Sequence, residues 1–89
     1  MEIMKLKLLR EKYRIPYREL CEKCRMTPQR IYEIECGDRK TGDTVQARLR
    51  EAMARTVEER CRDAASLRAD FEKHKDTLFE FVEEQGYEF

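Results

Sequence analysis

The sequence predicts an all-α chain: four to five helices over roughly residues 1–56, then a long C-terminal amphipathic helix over residues 57–89. Three observations predict it. Gly 3 and Pro 2 in 89 residues are too few for a β-rich or loop-rich chain. No Gly or Pro occurs from Asp43 to Gln85. Apolar residues recur at helical spacing along most of the chain. The hydrophobic set is 40% of the residues, enough for a small core beside 43% charged residues, which argues against disorder. The length suits one domain, or one small domain with an appendage, and leaves no room for a two-domain enzyme.

The first helix is expected from about Met4 to Tyr13. Ile3, Leu6, Leu9 and Tyr13 share one face, with Lys5, Lys7 and Lys12 off it. Ile15-Pro16 ends it, because a residue before proline is pushed out of the α region. Pro16 suits the first turn of a second helix, which runs to about Cys24 with Leu20, Cys21 and Cys24 inward. Arg25-Met26-Thr27 is a tight connection. Thr27 is an N-cap and Pro28 a favoured first helical residue, so a third helix runs from Pro28 to about Cys36. Ile31 and Ile34 face inward, and Gly37 takes the left-handed position after the helix. Residues 38–42 are a loop. Asp43 or Thr44 caps the next helix, with Gln46 completing a capping box, and Thr56-Val57-Glu58-Glu59 is a second box where the chain can bend. From Val57 onward a heptad stripe runs through Val57, Ala64, Phe71 and Leu78, with Leu67, His74 and Phe81 on its second track. Arg60 is its one charged break, and Gly86 ends the helix.

Charge divides the chain in the same place. Residues 1–56 hold 14 Lys+Arg against 9 Asp+Glu, and residues 57–89 hold 5 against 10. The net charge of zero therefore hides a half that suits a polyanion and a half that suits protein contact or solvent. The apolar runs are too short to span a membrane. The N-terminal MEIMKLKLLREKYR has charges where a signal peptide needs an apolar stretch, so a cytoplasmic location is expected. Cys21, Cys24, Cys36 and Cys61 are then thiols. Cys21-x-x-Cys24 has no second pair at zinc spacing and the only histidine is His74, so neither a metal nor another cofactor is expected.

Two short helices joined by a three-residue connection, the second opening on Thr-Pro, form a helix-turn-helix. In such a unit the first helix braces on the DNA backbone and the second presents its N-terminal residues to base edges in the major groove. With Ile31 and Ile34 inward, the outward residues are Gln29, Tyr32, Glu33 and Cys36, with Thr27 and Pro28 at the tip. A Gln29 amide can pair bidentately with adenine, and Glu33 can accept from cytosine or hold a neighbouring arginine. Arg30, Arg39 and Lys40 are candidate phosphate anchors.

The segments Leu6-Lys7-Leu8-Leu9-Arg10-Glu11-Lys12, Leu20-Cys21-Glu22-Lys23-Cys24 and Ile31-Tyr32-Glu33-Ile34-Glu35-Cys36-Gly37-Asp38-Arg39 resemble the Cro/lambda-repressor (XRE) helix-turn-helix family. The likeness covers roughly residues 4–56. It implies a lambda-repressor-like domain in which Arg10 pairs with Glu35. Cys21, Cys24 and Cys36 stand where the family usually has Ala, Leu and Asn. Arg25 replaces the usual turn glycine, and a positive φ there would strain it by about 1 kcal/mol. Pro16 replaces the usual Ser or Thr cap, which leaves phosphate contact at that helix start to Tyr17, Arg18 or backbone amides.

The function these features predict is a sequence-specific DNA-binding transcriptional regulator, a repressor acting as a homodimer on palindromic double-stranded DNA. Residues 1–56 would bind DNA. Leu67, Phe71, Leu78 and Phe81 lie too far along a single helix to reach the first domain, so they need another chain or a bend that folds them back; the favoured reading is that residues 57–89 make the dimer through Leu67, Phe71, His74, Leu78 and Phe81. The alternative is an antitoxin or adaptor whose C-terminal face, with Phe71, Leu78, Phe79, Phe81, Val82, Tyr87 and Phe89, docks another protein. No nucleophile–base pair or phosphate-cradling glycine loop is present, so enzymatic activity is not expected.

Overall fold

A computed structural model describes residues 2–38, 40–60, 64–85 and 87. The expectations for Arg39, Cys61, Gly86 and Phe89, and for the side chain of Ala64, lie outside the described residues. The chain is mostly helical. In order it forms β1 (Glu2–Met4), α1 (Lys5–Lys12), α2 (Tyr17–Cys24), α3 (Pro28–Cys36), α4 (Asp43–Glu59), α5 (Ala64–His74), a 3₁₀ turn (Lys75–Thr77) and β2 (Phe81–Glu83).

Local chemistry explains the short helices. After α1, Arg14 turns to a φ of 54° and Ile15 enters the core. Pro16, extended, stands just before α2 as its cap residue. Arg25 ends α2 at a φ of 57°, the left-handed conformation the missing glycine implied. The Thr27 hydroxyl accepts from the Arg30 amide at 3.1 Å and starts α3. Gly37 ends α3 at a φ of 81°, with its own amide on Ile34 O at 3.1 Å and the Asp38 amide on Glu33 O at 3.0 Å. Those two bonds satisfy carbonyls the helix end would leave bare.

Neither expected capping box forms. Gly42 precedes α4, and Gln46 donates its side-chain amide to Thr41 at 2.9 Å instead of reaching back to Asp43. The Thr56 hydroxyl donates to Ala52 O at 2.9 Å, a bond within the helix, so α4 continues through it to Glu59.

The C-terminal region differs most from expectation. A single helix over residues 57–89 would be about 50 Å long, whereas the longest dimension of the described chain is 33 Å. Instead α4 stops at Arg60, α5 returns, and β2 pairs antiparallel with β1: Glu2 faces Glu83, Ile3 faces Val82 and Met4 faces Phe81. Glu2–Met4 are therefore a strand, and the helix expected from about Met4 begins at Lys5. Leu67, Phe71, His74 and Leu78, assigned above to a dimer interface, are buried within this one chain. Leu67, Phe71 and Leu78 join Leu6, Leu9, Leu20, Ile31 and Ile34 in one core, so the segments split at residue 57 share their interior. The correction has a physical basis: a folded-back stripe removes its apolar surface from water without needing a second molecule.

Polar groups fix the return. Arg60 donates to Tyr13 O at 3.0 Å and Arg14 O at 3.3 Å, and forks onto both oxygens of Glu19, locking the end of α4 to the α1–α2 junction. Arg50 Nε donates to Lys75 O at 2.8 Å. The first amides of α1 have no partner within their own helix; Lys5 N donates to Glu80 O at 2.9 Å and Leu6 N to Leu78 O at 2.8 Å.

Between α1 and α5, Asp70 accepts from Lys12 at 2.7 Å and from the Tyr13 hydroxyl at 2.5 Å. Burial pushes the Asp70 carboxyl upward, but these hydrogen bonds and the charges of Lys12 and His74 outweigh it and hold it below its ordinary 3.8. A carboxylate with a lowered folded pKa stabilises the fold above its unfolded pKa and loses that contribution as pH falls through the folded value. Stability should therefore fall below about pH 4, and Asp70→Asn should flatten this acid limb. Thermal melts of both proteins from about pH 6 to about pH 2 check this; parallel acid limbs would contradict it.

Candidate nucleic-acid interface

α3 is held by its inward residues and leaves a polar face outside. Ile31 and Ile34 are buried, while Thr27, Pro28, Gln29, Tyr32 and Cys36 are exposed and Glu33 is half-buried. Gln29 Nε2 donates to Glu33 Oε1 at 3.3 Å, one helical turn on. That bond uses one amide hydrogen and leaves the carbonyl and the second hydrogen for a further partner. Tyr32, 47% exposed, has its hydroxyl pKa raised by a hydrogen bond with Cys36.

The backbone-contact candidates separate. Arg18, on the first turn of α2, and Lys40, after α3, are both exposed. Arg39 lies outside the described residues. Arg30 is half-buried, and its Nε is enclosed with no hydrogen-bond partner among the described residues.

Tyr17 requires a correction. Its hydroxyl does not face outward for a phosphate: it donates to Glu35 Oε1 at 2.7 Å. Its ring lies under Arg10, whose Cζ is 4.1 Å from the ring centroid. Burial first, then the bond to Glu35, pushes the Tyr17 hydroxyl above its ordinary pKa. A tyrosine on the first turn of a helix carries no local sign of which way it turns.

Arg10 and Glu35 are brought together. Arg10 Nε donates to Glu35 Oε2 at 3.0 Å and Nη2 to Oε1 at 3.1 Å, while Nη1 reaches Ile15 O at 3.3 Å. The side chains are 11% and 0% exposed. Burial lowers the Arg10 pKa, but the bond to and charge of Glu35, with Tyr17 and Glu11, hold it above its ordinary value. This two-pronged pair ties the end of α1 to the last turn of α3 and so fixes the tilt of the outward face.

Sequence reasoning missed Arg48. From α4 it donates to Cys24 O, closing the end of α2. Lys23, Arg25, Thr44, Ala47 and Glu51 join it around an open groove of about 520 Å³. Arg48 and Cys24 are far apart in sequence, and no local pattern links them. Among the described residues, no cluster of three or more metal-ligating side chains occurs, and no helix is long and apolar enough to cross a membrane. Searches of protein-family models, curated proteins and solved structures find no match to this chain.

Proposed function

We propose that this chain is a sequence-specific DNA-binding regulator of transcription, of the Cro/lambda-repressor helix-turn-helix type, with α3 as the helix that enters the major groove. The observation that carries this reading is the α2–α3 pair. A left-handed Arg25 and a Thr27 cap join two short helices, and the second shows solvent a face of Gln29, Tyr32 and Glu33. Exposed Arg18 and Lys40 supply candidate phosphate contacts. The excess of cations in residues 1–56 supports the same partner. A repressor would act by occupying its operator. Two copies on a palindrome would double the base contacts, but through surfaces other than Leu67, Phe71, His74 and Leu78, which the chain uses internally.

Selection of bound duplexes from a random DNA pool tests the proposal, and an enriched site, its symmetry and its half-site spacing are read together. On that site Gln29→Ala should cost about 1–3 kcal/mol and relax preference at one position. Lys40→Ala should weaken all duplexes alike and lower the salt slope by about one unit. A pool without enrichment removes sequence-specific binding. Equal, sequence-blind losses from both substitutions would remove base reading by Gln29.

A further inference from the structure

The open groove between the end of α2 and the first turns of α4 has a volume of about 520 Å³, within the range that holds small organic ligands. Cys24 and Ala47 give it an apolar wall, and Lys23, Arg25, Arg48 and Glu51 give it charge. The cations are not equivalent. Lys23 is already held: its Nζ lies 2.9 Å from Glu59 Oε2 and donates to Glu19 O at 3.2 Å. Arg48 gives one terminal nitrogen to Cys24 O, and its other two nitrogens keep their hydrogens for a further acceptor. The Arg25 side chain is exposed and makes no hydrogen bond or ion pair among the described residues, and the same is true of Glu51.

Charge selects the occupant. With Lys23 neutralised by Glu59, two arginines stand against Glu51 alone, so the groove carries a surplus of one positive charge. A polyanion brings further negative charge against Glu51 and is the wrong ligand. A neutral apolar molecule leaves the two guanidinium groups without an acceptor. A single carboxylate answers both conditions, because its two oxygens match the fork of a guanidinium, and an apolar body attached to it covers the wall of Cys24 and Ala47.

We propose that this groove binds a small carboxylic acid in its singly charged form, with the carboxylate on Arg25 and Arg48 and the apolar body against Cys24 and Ala47. The site is built from the end of α2 and the start of α4 and does not rest on DNA binding. Its test contains no DNA, so failure of one reading leaves the other standing.

The probe is hexanoate, titrated into the full chain with backbone amide shifts read by NMR. Acetate, 1-hexanol and inorganic phosphate are the controls. Hexanoate should move the amides of Arg25, Ala47 and Arg48 saturably, at roughly millimolar concentration. Acetate lacks the apolar body and hexanol lacks the charge, so each should bind about tenfold more weakly or worse. Phosphate, doubly charged above neutral pH, should also bind more weakly than hexanoate. Arg25→Gly removes a cation and puts glycine at a φ of 57°, a conformation glycine adopts freely, so the fold should hold while hexanoate binding falls about tenfold. Glu51→Gln, at an exposed position, should tighten hexanoate binding about threefold by removing the repelling charge. Circular dichroism verifies that both variants are folded. The absence of a saturable shift at these three amides overturns the proposal. So does binding of acetate, hexanol or phosphate equal to that of hexanoate, or unchanged affinity in folded Arg25→Gly.

Discussion

Phe71→Asp is expected to unfold the chain. Phe71 is 4% exposed and lies on α5 against the same core as Leu6, Leu9 and Leu49. Truncating a buried phenylalanine costs about 3–5 kcal/mol through lost burial and the cavity left behind. A carboxylate placed there adds the penalty of a buried charge with no partner. A domain of this size has a total stability of about 4–13 kcal/mol, so the sum removes most or all of it. Ala69→Asp, at an exposed position on the same helix, should shift the melting transition far less. Circular dichroism melts and sedimentation of the two variants decide the point. If Phe71→Asp still melts cooperatively and differs from the parent only in molecular mass, then α5 packs against another chain and the fold-back described above is wrong.

Breaking the Arg10–Glu35 pair should be the next most damaging change. Both Glu35 oxygens are engaged, one by Arg10 Nε and the other by Arg10 Nη2 and the Tyr17 hydroxyl, and the carboxylate has no exposure to water. Either Arg10→Ala or Glu35→Ala leaves a charge buried without its partner, at a cost on the order of 3 kcal/mol. Replacing both by leucine should cost much less, since no charge is then stranded. Tyr17→Phe removes one bond to a charged group and should cost about 1.5–3 kcal/mol. Denaturant unfolding of the two singles and the double gives the coupling directly. Losses that simply add would mean that the two side chains do not touch in solution. Because the pair joins α1 to the last turn of α3, the singles should also weaken the DNA binding proposed above, at temperatures where they remain folded.

Much of the first half of the fold was legible because its signals act within a few residues. Proline before α2, Thr27-Pro28 at the start of α3 and Gly37 at its end each work through backbone groups up to four positions away. They need no knowledge of what lies elsewhere in the chain. The outward face of α3 followed from the same periodicity that buries Ile31 and Ile34. Where two local signals competed, geometry chose differently: Gln46 donates to Thr41 and Thr56 to Ala52 in place of the capping-box bonds.

By itself, then, the sequence determined that the chain is helical, where its short helices begin and end, and which faces are apolar. Only the tertiary structure decided what those faces meet. The stripe through Leu67, Phe71 and Leu78 is equally good against a second molecule or against its own chain, because burial rewards any apolar partner alike. The choice was made by contacts without local trace: Arg60 on Glu19 and the Tyr13 carbonyl, Lys12 and Tyr13 on Asp70, and Ile3 beside Val82. The strands show why such contacts escape a sequence reading. Three residues at each end of the chain are too few to show a period of two, and their hydrogen bonds exist only once the helices between them have folded and brought the ends together.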